Sequence, residues 1–362
     1  MSVRWTLRPL ALVCITAGLF ACEHTTAPSE PAGAPPVRSV TYTGWGRALA
    51  PVSLPPTEGS DQVVHPDVVV TPRGALAHRW HLSLTPYPFG VALLENPFVF
   101  ASQDGVTWLV EQGVQNPLAR PRTNPAGELL SDPALVYVPE SRELWLYYRS
   151  YTGDSDYVWL LRSSDAEHWS DPALLFATGE GQAVSPSIVH RSTGDWQMWT
   201  VNGHCGKGLT HIELRTSTDG QQWSAPQAVA LDSLSPWHVF VRWVESLQLW
   251  VLLTNVKAKS GSCLTKDLYL ASSADGVTWT HGSRPWLTAG EDSLGLFQSV
   301  VYRSAFVETG DSLRFFYSGA TMTYRTYSCQ GATTTCRDSS LHWSRLGTEI
   351  RPVTDVLRGA TP

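Results

Sequence analysis

Four copies of one short motif constrain this chain more than any other feature. Ser102-Gln103-Asp104-Gly105-Val106-Thr107-Trp108 recurs, with substitutions, as Ser163 to Trp169, Ser217 to Trp223 and Ser273 to Trp279, and its tryptophans stand 61, 54 and 56 residues apart. Aspartate followed by glycine favours a tight turn, because the carboxylate accepts from backbone amides just ahead of it and glycine tolerates positive φ. Turn signals at a steady period, with short β-rich runs between them, indicate one supersecondary unit repeated around a ring. The expected fold is all-β, a β-propeller.

Within each period the order of elements recurs. A Pro-containing opening leads into a first strand, and the openings are His65-Pro66-Asp67-Val68-Val69, Ser131-Asp132-Pro133-Ala134-Leu135, Ser185-Pro186-Ser187-Ile188-Val189, Ser235-Pro236-Trp237-His238-Val239 and Phe297-Gln298-Ser299-Val300-Val301. Second strands follow at Leu144 to Tyr148, Trp196 to Val201, Leu249 to Leu253 and Leu313 to Tyr317. Five openings give five blades across residues 39–357. The fifth blade lacks the Ser-x-Asp turn and carries Leu341-His342-Trp343 instead, so its outer strand is expected from Ile350 to Leu357 or from Ser39 to Thr43, which would close the ring.

The amino terminus reads as a targeting segment. Arg4 and Arg8 precede an apolar run from Leu10 to Cys22 that is shorter than the roughly 20 residues needed to span a bilayer. Leu19-Phe20-Ala21-Cys22 resembles the lipobox of bacterial lipoproteins, and that resemblance implies cleavage after residue 21, lipidation of Cys22 and a flexible tether over residues 22–38. The expected location is the cell envelope, with membrane contact through the lipid alone. Plain secretion with a free Cys22 is the alternative.

Cys205, Cys263, Cys329 and Cys336 then remain, an even number in an oxidising compartment, and two disulfides follow as the default. In an antiparallel meander Cys205 and Cys263 fall in equivalent links of adjacent blades, and Cys329 and Cys336 share one link, which pairs 205 with 263 and 329 with 336. Paired short spacings with nearby histidines, as zinc sites prefer, do not occur among the cysteines, so neither metal nor cofactor is expected. A net charge of -6 without a basic cluster disfavours nucleic acid as a partner. Gly-x-Ser-x-Gly, a phosphate-cradling glycine loop and His-Glu-x-x-His are all missing from the sequence.

The same meander places the Ser-x-Asp turns on one rim and the first-strand starts and second-to-third links on the other. That second rim gathers Asp67, Asp132, Trp237 and His238 with Tyr87, Glu95, Arg149, Asn202, His204 and Asn255. Asp67, Glu95 and Asp132 are the carboxylates available for acid–base work. His65, His238, Arg149 and Arg303 are candidates to hold a substrate, and Tyr87 and Trp237 to stack on a sugar face. Each has a structural alternative: capping of a neighbouring blade for Asp67 and Asp132, pairing with Arg149 for Glu95, inter-blade ion pairs for the arginines, and core packing for the aromatics.

The Ser-x-Asp-Gly-x-x-Trp turn resembles the Asp-box of sialidases, in which the aspartate is architectural. The arrangement of openings and carboxylates resembles five-bladed glycosidases of glycoside hydrolase families 43, 62, 32 and 117, and the motifs from His65-Pro66-Asp67 to Tyr302-Arg303-Ser304 look like a sialidase-like propeller family. By the family 43 pattern, Asp67 is the base and Asp132 tunes the acid. The third opening, Ser185-Pro186-Ser187, lacks that family's acid, and Glu95 takes its place. The resemblance implies carboxylate-driven hydrolysis of an oligo- or polysaccharide, a reaction that needs a proton donor and a carboxylate flanking the bond. A non-catalytic glycan-binding or scaffold propeller is the alternative that the missing third acid leaves open.

Overall fold

The computed structural model describes residues 47–57, 60–122, 127–231, 233–257, 262–328 and 335–359, all within one compact unit, Thr43–Pro362. The expected targeting segment, Cys22, the expected tether over 22–38 and Cys329 lie outside the described residues. Among the described residues the chain is almost entirely β, and no helix is long and apolar enough to cross a membrane.

A short strand, β1 (Ala50–Pro51), comes first. The sheet that follows holds β2 (Val63–Val70), β3 (Trp80–Pro86) and β4 (Phe98–Ser102), and the next holds β5 (Leu129–Val138), β6 (Glu143–Tyr151), β7 (Ser155–Ser163) and β8 (Ala173–Gly179). Then come β9 (Val184–Ser192), β10 (Asp195–His204), β11 (Lys207–Ser217) and β12 (Gln227–Ala228), which pair in sequence order. The fourth meander, preceded by β13 (Ala230–Leu231), consists of β14 (Pro236–Val244), β15 (Leu249–Val256), β16 (Asp267–Ser273) and β17 (Thr278–His281); β13 joins β17 in parallel and β18 (Leu287–Thr288) adds to β16.

Beyond β18, a three-stranded ribbon contains β19 (Val300–Val301), β22 (Gly319–Ser328) and β23 (Thr335–Trp343). The last sheet runs β20 (Ala305–Thr309), β21 (Ser312–Tyr317) and β24 (Gly347–Pro352), and β1 completes its outer edge. The first strands of the meanders form a cycle of neighbours: β2 against β5, β5 against β9, β9 against β14, β14 against β20, and β20 back against β2.

The fifth opening differs from expectation. Phe297 to Val301 supplies only the short β19, which pairs with the ribbon, and the inner strand is β20, eight residues further from the start of that motif. Leu341 and Trp343 belong to β23 of that ribbon, an insertion between β21 and β24. The outer edge combines the two alternatives in part: β24 covers Ile350 to Pro352, a short helix from Val353 takes the remainder, and the amino-terminal closing strand is Ala50–Pro51, since residues 39–43 lie outside the described ones.

The four turns are built as their residues dictate. In the first, Asp104 Oδ1 accepts from the backbone N–H of Val106 and Thr107, each at 2.8 Å, while Ser102 Oγ accepts from Gly105 N at 2.9 Å. Asp165, Asp219 and Asp275 repeat the pattern. These turns also join neighbouring sheets, because Tyr147 donates to the Gly220 carbonyl and Trp199 to the Gly276 carbonyl, both at 2.9 Å. Gly220 has φ +70°, and a β-carbon there would stand 2.8 Å from the Trp145 ring, so both backbone and space require glycine.

Candidate active site

The inner strands β2, β5, β9 and β14 share a local irregularity that decides which side chains face the centre. Pairing of β2 with β3 breaks between Val64 and Asp67, and that of β5 with β6 breaks between Ser131 and Ala134. The β9–β10 ladder breaks opposite Ser185-Pro186, and the β14–β15 ladder breaks between Pro236 and His238. His65, Asp132 and Ser185, each immediately before its proline, have φ of 56°, 52° and 55°. Left-handed backbone at a non-glycine residue before proline is strained, and a bulge re-aims the residue that carries it. Here it turns His65 and Asp132 inward.

A cavity of about 640 Å³ opens on this rim. Seven of the residues expected from the sequence line it: His65, Tyr87, Glu95, Asp132, Arg149, Trp237 and His238. Cys205 and Cys263 form the expected disulfide, Cα atoms 5.5 Å apart, in its wall. Tyr151, Tyr302 and Trp343 complete the aromatic lining.

At its floor, His65, Asp132 and His238 converge, each offering one ligand atom with all three atoms within 4.8 Å of one another. Asp132 Oδ1 lies 3.6 Å from His65 Nε2 and 3.3 Å from His238 Nδ1. All three residues are buried, and these atoms lack a well-formed hydrogen bond, a costly condition unless something else occupies them. Burial pushes both imidazoles below their ordinary value, against the opposing pull of Asp132. Burial alone would raise the Asp132 carboxyl, but the imidazoles and the Arg303 guanidinium outweigh it and hold the group well below the usual range. Two neutral imidazoles and one carboxylate form the donor set of catalytic zinc and related divalent sites with open positions.

The surroundings aim these ligands. His65 Nδ1 faces Thr85 Oγ1 and Glu95 Oε1, each at 3.2 Å, which turns Nε2 toward Asp132. Ser131 donates to Asp132 Oδ2 at 3.0 Å, leaving Oδ1 for the floor. The His238 N–H donates to Asn255 Oδ1 at 2.9 Å. Burial, reinforced by Asp132, lifts the Glu95 carboxyl well above its ordinary value. Arg149 is held at 2.7 Å by Asp156, with its other nitrogen 3.7 Å from Asp132 Oδ2, so it pairs with Asp156 rather than Glu95.

Asp67 and Arg303 do not line the cavity. Asp67 is fully buried, hydrogen-bonded by Arg242, and 3.7 Å from Arg303. Arg303 donates to the carbonyls of Pro133 and Pro186 at 2.9 and 3.0 Å, pinning two neighbouring inner strands from below. Asp67, expected from the sequence as the base, thus lies behind the cavity lining, with Arg303 between it and Asp132. The triad was not grouped from the sequence as metal ligands, although a signal existed: His65 and Asp132 occupy the same place, one residue before the proline, whereas Asp67 follows it. Trp343 escaped because its ribbon interrupts the repeat.

The fold resembles that of carbohydrate-active β-propellers. No family model matches the chain. A thermostable family-43 glycoside hydrolase aligns over 85% of this chain and 96% of its own at 14% identity, TM-score 0.53. The Penicillium chrysogenum α-L-arabinanase, solved with arabinobiose, aligns over 85% and 99% at 14% identity, TM-score 0.50.

A particular relative is more similar still. The crystal structure of an N-acetylgalactosamine deacetylase from Flavonifractor plautii, in complex with blood group B trisaccharide, aligns over 88% of this chain and 96% of that chain, at 25% identity and TM-score 0.72. In sequence, the A type blood N-acetyl-α-D-galactosamine deacetylase of Flavonifractor plautii is 30% identical in an alignment 315 positions long that covers 71% of this chain. The match spans 40% of that relative's length.

Proposed function

We propose that the chain is a five-bladed β-propeller hydrolase that removes an N-acetyl group from an amino sugar at the His65–Asp132–His238 floor. The five-blade reading is supported by the cycle of first strands, with the ribbon as an insertion in the fifth. The observation that carries the chemistry is the convergence of three buried ligand atoms, each without a well-formed hydrogen bond among the described residues, beneath an aromatic cavity. The likeness to an N-acetylgalactosamine deacetylase supports the substrate class.

When bound at the triad, a divalent cation supplies Lewis-acid polarisation of an amide carbonyl and a water acidic enough to attack it near neutral pH. The protein's own residues do the rest. Thr85 and Glu95 fix His65 through Nδ1, Ser131 fixes Asp132 through Oδ2, and Asn255 fixes the His238 backbone. Glu95 faces the cavity beside His65, where a carboxyl can pass a proton toward a departing amine. Hydrolysis of the N-acetyl amide takes up one water and yields acetate and the free amino sugar. Trp237, whose indole donates to the Tyr302 hydroxyl at 3.1 Å, offers a ring face to the sugar.

Glycoside hydrolysis is a second reading, favoured by two cavity carboxyls whose environments push them in opposite directions, Glu95 up and Asp132 down. Product analysis separates the two. Incubation with an N-acetylgalactosamine-terminated oligosaccharide should release acetate and leave the glycan backbone intact. Prior treatment with a chelator should abolish this, and zinc should restore it. Release of a free sugar without acetate overturns the deacetylase reading in favour of the second.

We also propose envelope anchoring through Cys22, supported by the Leu19-Phe20-Ala21-Cys22 tetrad. Globomycin should leave the precursor uncleaved, and normal processing in its presence would indicate plain secretion.

A further inference from the structure

Trp343 is the one large aromatic of the cavity that the repeat pattern does not supply. It enters on β23, the ribbon inserted between β21 and β24, and is 4% exposed. Its ring lies 4.9 Å from Tyr302 and 5.2 Å from Tyr87, and Tyr302 in turn lies 4.4 Å from the His238 ring. Four rings in series therefore lead from the floor to the rim link that carries Tyr87. The indole N–H of Trp343 is buried with no hydrogen-bond partner among the described residues. It faces Gly90, which lines the same cavity without a side chain; a β-carbon there would stand 3.9 Å from the nitrogen. That link is held in place, since Tyr87 N donates to the Gln62 carbonyl at 2.9 Å and Phe89 N to Gln62 Oε1 at 3.1 Å.

Building on the deacetylase reading, we infer that Trp343 and Tyr87 form a subsite for a second sugar ring, adjacent to the one whose amide reacts at the floor. Stacked C–H faces meet the two rings, and the indole N–H donates to a hydroxyl of that second sugar. The subsite makes the protein select an oligosaccharide over a monosaccharide of the same terminal sugar. The hydrogen bond from the buried indole N–H is worth roughly tenfold in affinity by itself.

The test is Trp343→Phe, which keeps a ring and removes the N–H. Acetate release is measured on methyl N-acetyl-α-galactosaminide and on a trisaccharide ending in the same sugar. The expected result is a KM about tenfold higher for the trisaccharide, with kcat and the monosaccharide KM unchanged. Equal effects on both substrates, or none on either, overturn the subsite. If the wild-type protein releases no acetate, the deacetylase reading fails on its own, and calorimetric titration with the trisaccharide decides the subsite. Binding about tenfold weaker in Trp343→Phe supports it, and equal or undetectable binding in both proteins overturns it. Should Trp343→Phe not fold, Tyr87→Leu undergoes the same comparison.

Discussion

Asp132 at the cavity floor and Asp104 in a far-rim turn are both held below the ordinary carboxylate range, by opposite environments. Asp104 is exposed, and its charge is satisfied by the backbone N–H groups of Thr107 and Val106, which hold it at about 2. Asp132 is buried, and the imidazoles and Arg303 must overcome desolvation to keep it ionised, with Oδ1 still lacking a hydrogen bond. A carboxylate with all its partners in its own turn is architecture. One kept charged in the dark of the protein with an oxygen to spare can take a ligand.

The largest expected effect tests that contrast directly. Asp132→Asn keeps the volume and removes the charged ligand, so acetate release by the folded protein should fall roughly 10³-fold, with loss of bound zinc in elemental analysis. Asp104→Asn should leave both unchanged per folded molecule. Full zinc content and turnover in Asp132→Asn would erase the distinction.

Glu95→Gln comes next. It keeps a group beside His65 Nδ1 but cannot exchange a proton, and kcat should fall roughly 10²-fold while zinc stays bound. Loss of zinc in place of loss of kcat would make Glu95 a support for His65 alone.

Asp67 sharpens the comparison from a third side, as a buried acid whose oxygens face arginines. Asp67→Asn leaves Arg242 and Arg303 with an uncompensated charge below the floor, and breaking a buried pair in this way costs about 3 kcal/mol. Denaturant unfolding should show that loss, while turnover of the folded fraction changes only a few-fold. An orders-of-magnitude fall in kcat with unchanged stability would restore Asp67 to the chemistry.

These three acids also mark how far the sequence could be read. The Ser-x-Asp turns, most inner strands, the rim on which the cavity opens and the Cys205–Cys263 bridge were legible, because each rests on local turn chemistry or on the order of a meander. The triad was hidden by parity. Simple alternation along a strand cannot tell whether His65 or Asp67 faces the centre once a bulge inserts a residue, and a one-residue slip moves every side chain to the other face. The openings did contain two members in the place of the proline, since His65-Pro66 aligns with Asp132-Pro133 and not with Asp67, whereas His238 follows its proline by two residues and leaves no such mark. The fifth opening and Trp343 were obscured for a different reason: a ribbon inserted within a sheet pairs with itself and leaves no periodic trace.

The smallest expected effect belongs to the turns, and its pH dependence has a definite sign. Asp104 titrates at about 2 in the folded protein against an ordinary value of 3.8. Above about pH 5 it is ionised in both states and its turn contributes in full. As pH falls from there toward 2, the unfolded chain takes up the proton first, and the contribution is lost. Asn at 104 still offers a carbonyl oxygen to the amides of Val106 and Thr107, and the site is exposed and screened, so Asp104→Asn should lower the Tm at pH 7 by only about 2 °C or less. Calorimetric scans of both proteins should converge as the pH approaches 2, and raising the salt concentration should narrow the gap at pH 7. A gap that widens on acidification would mean that Asp104 is stabilised by its neutral form, and the architectural half of the comparison would fall.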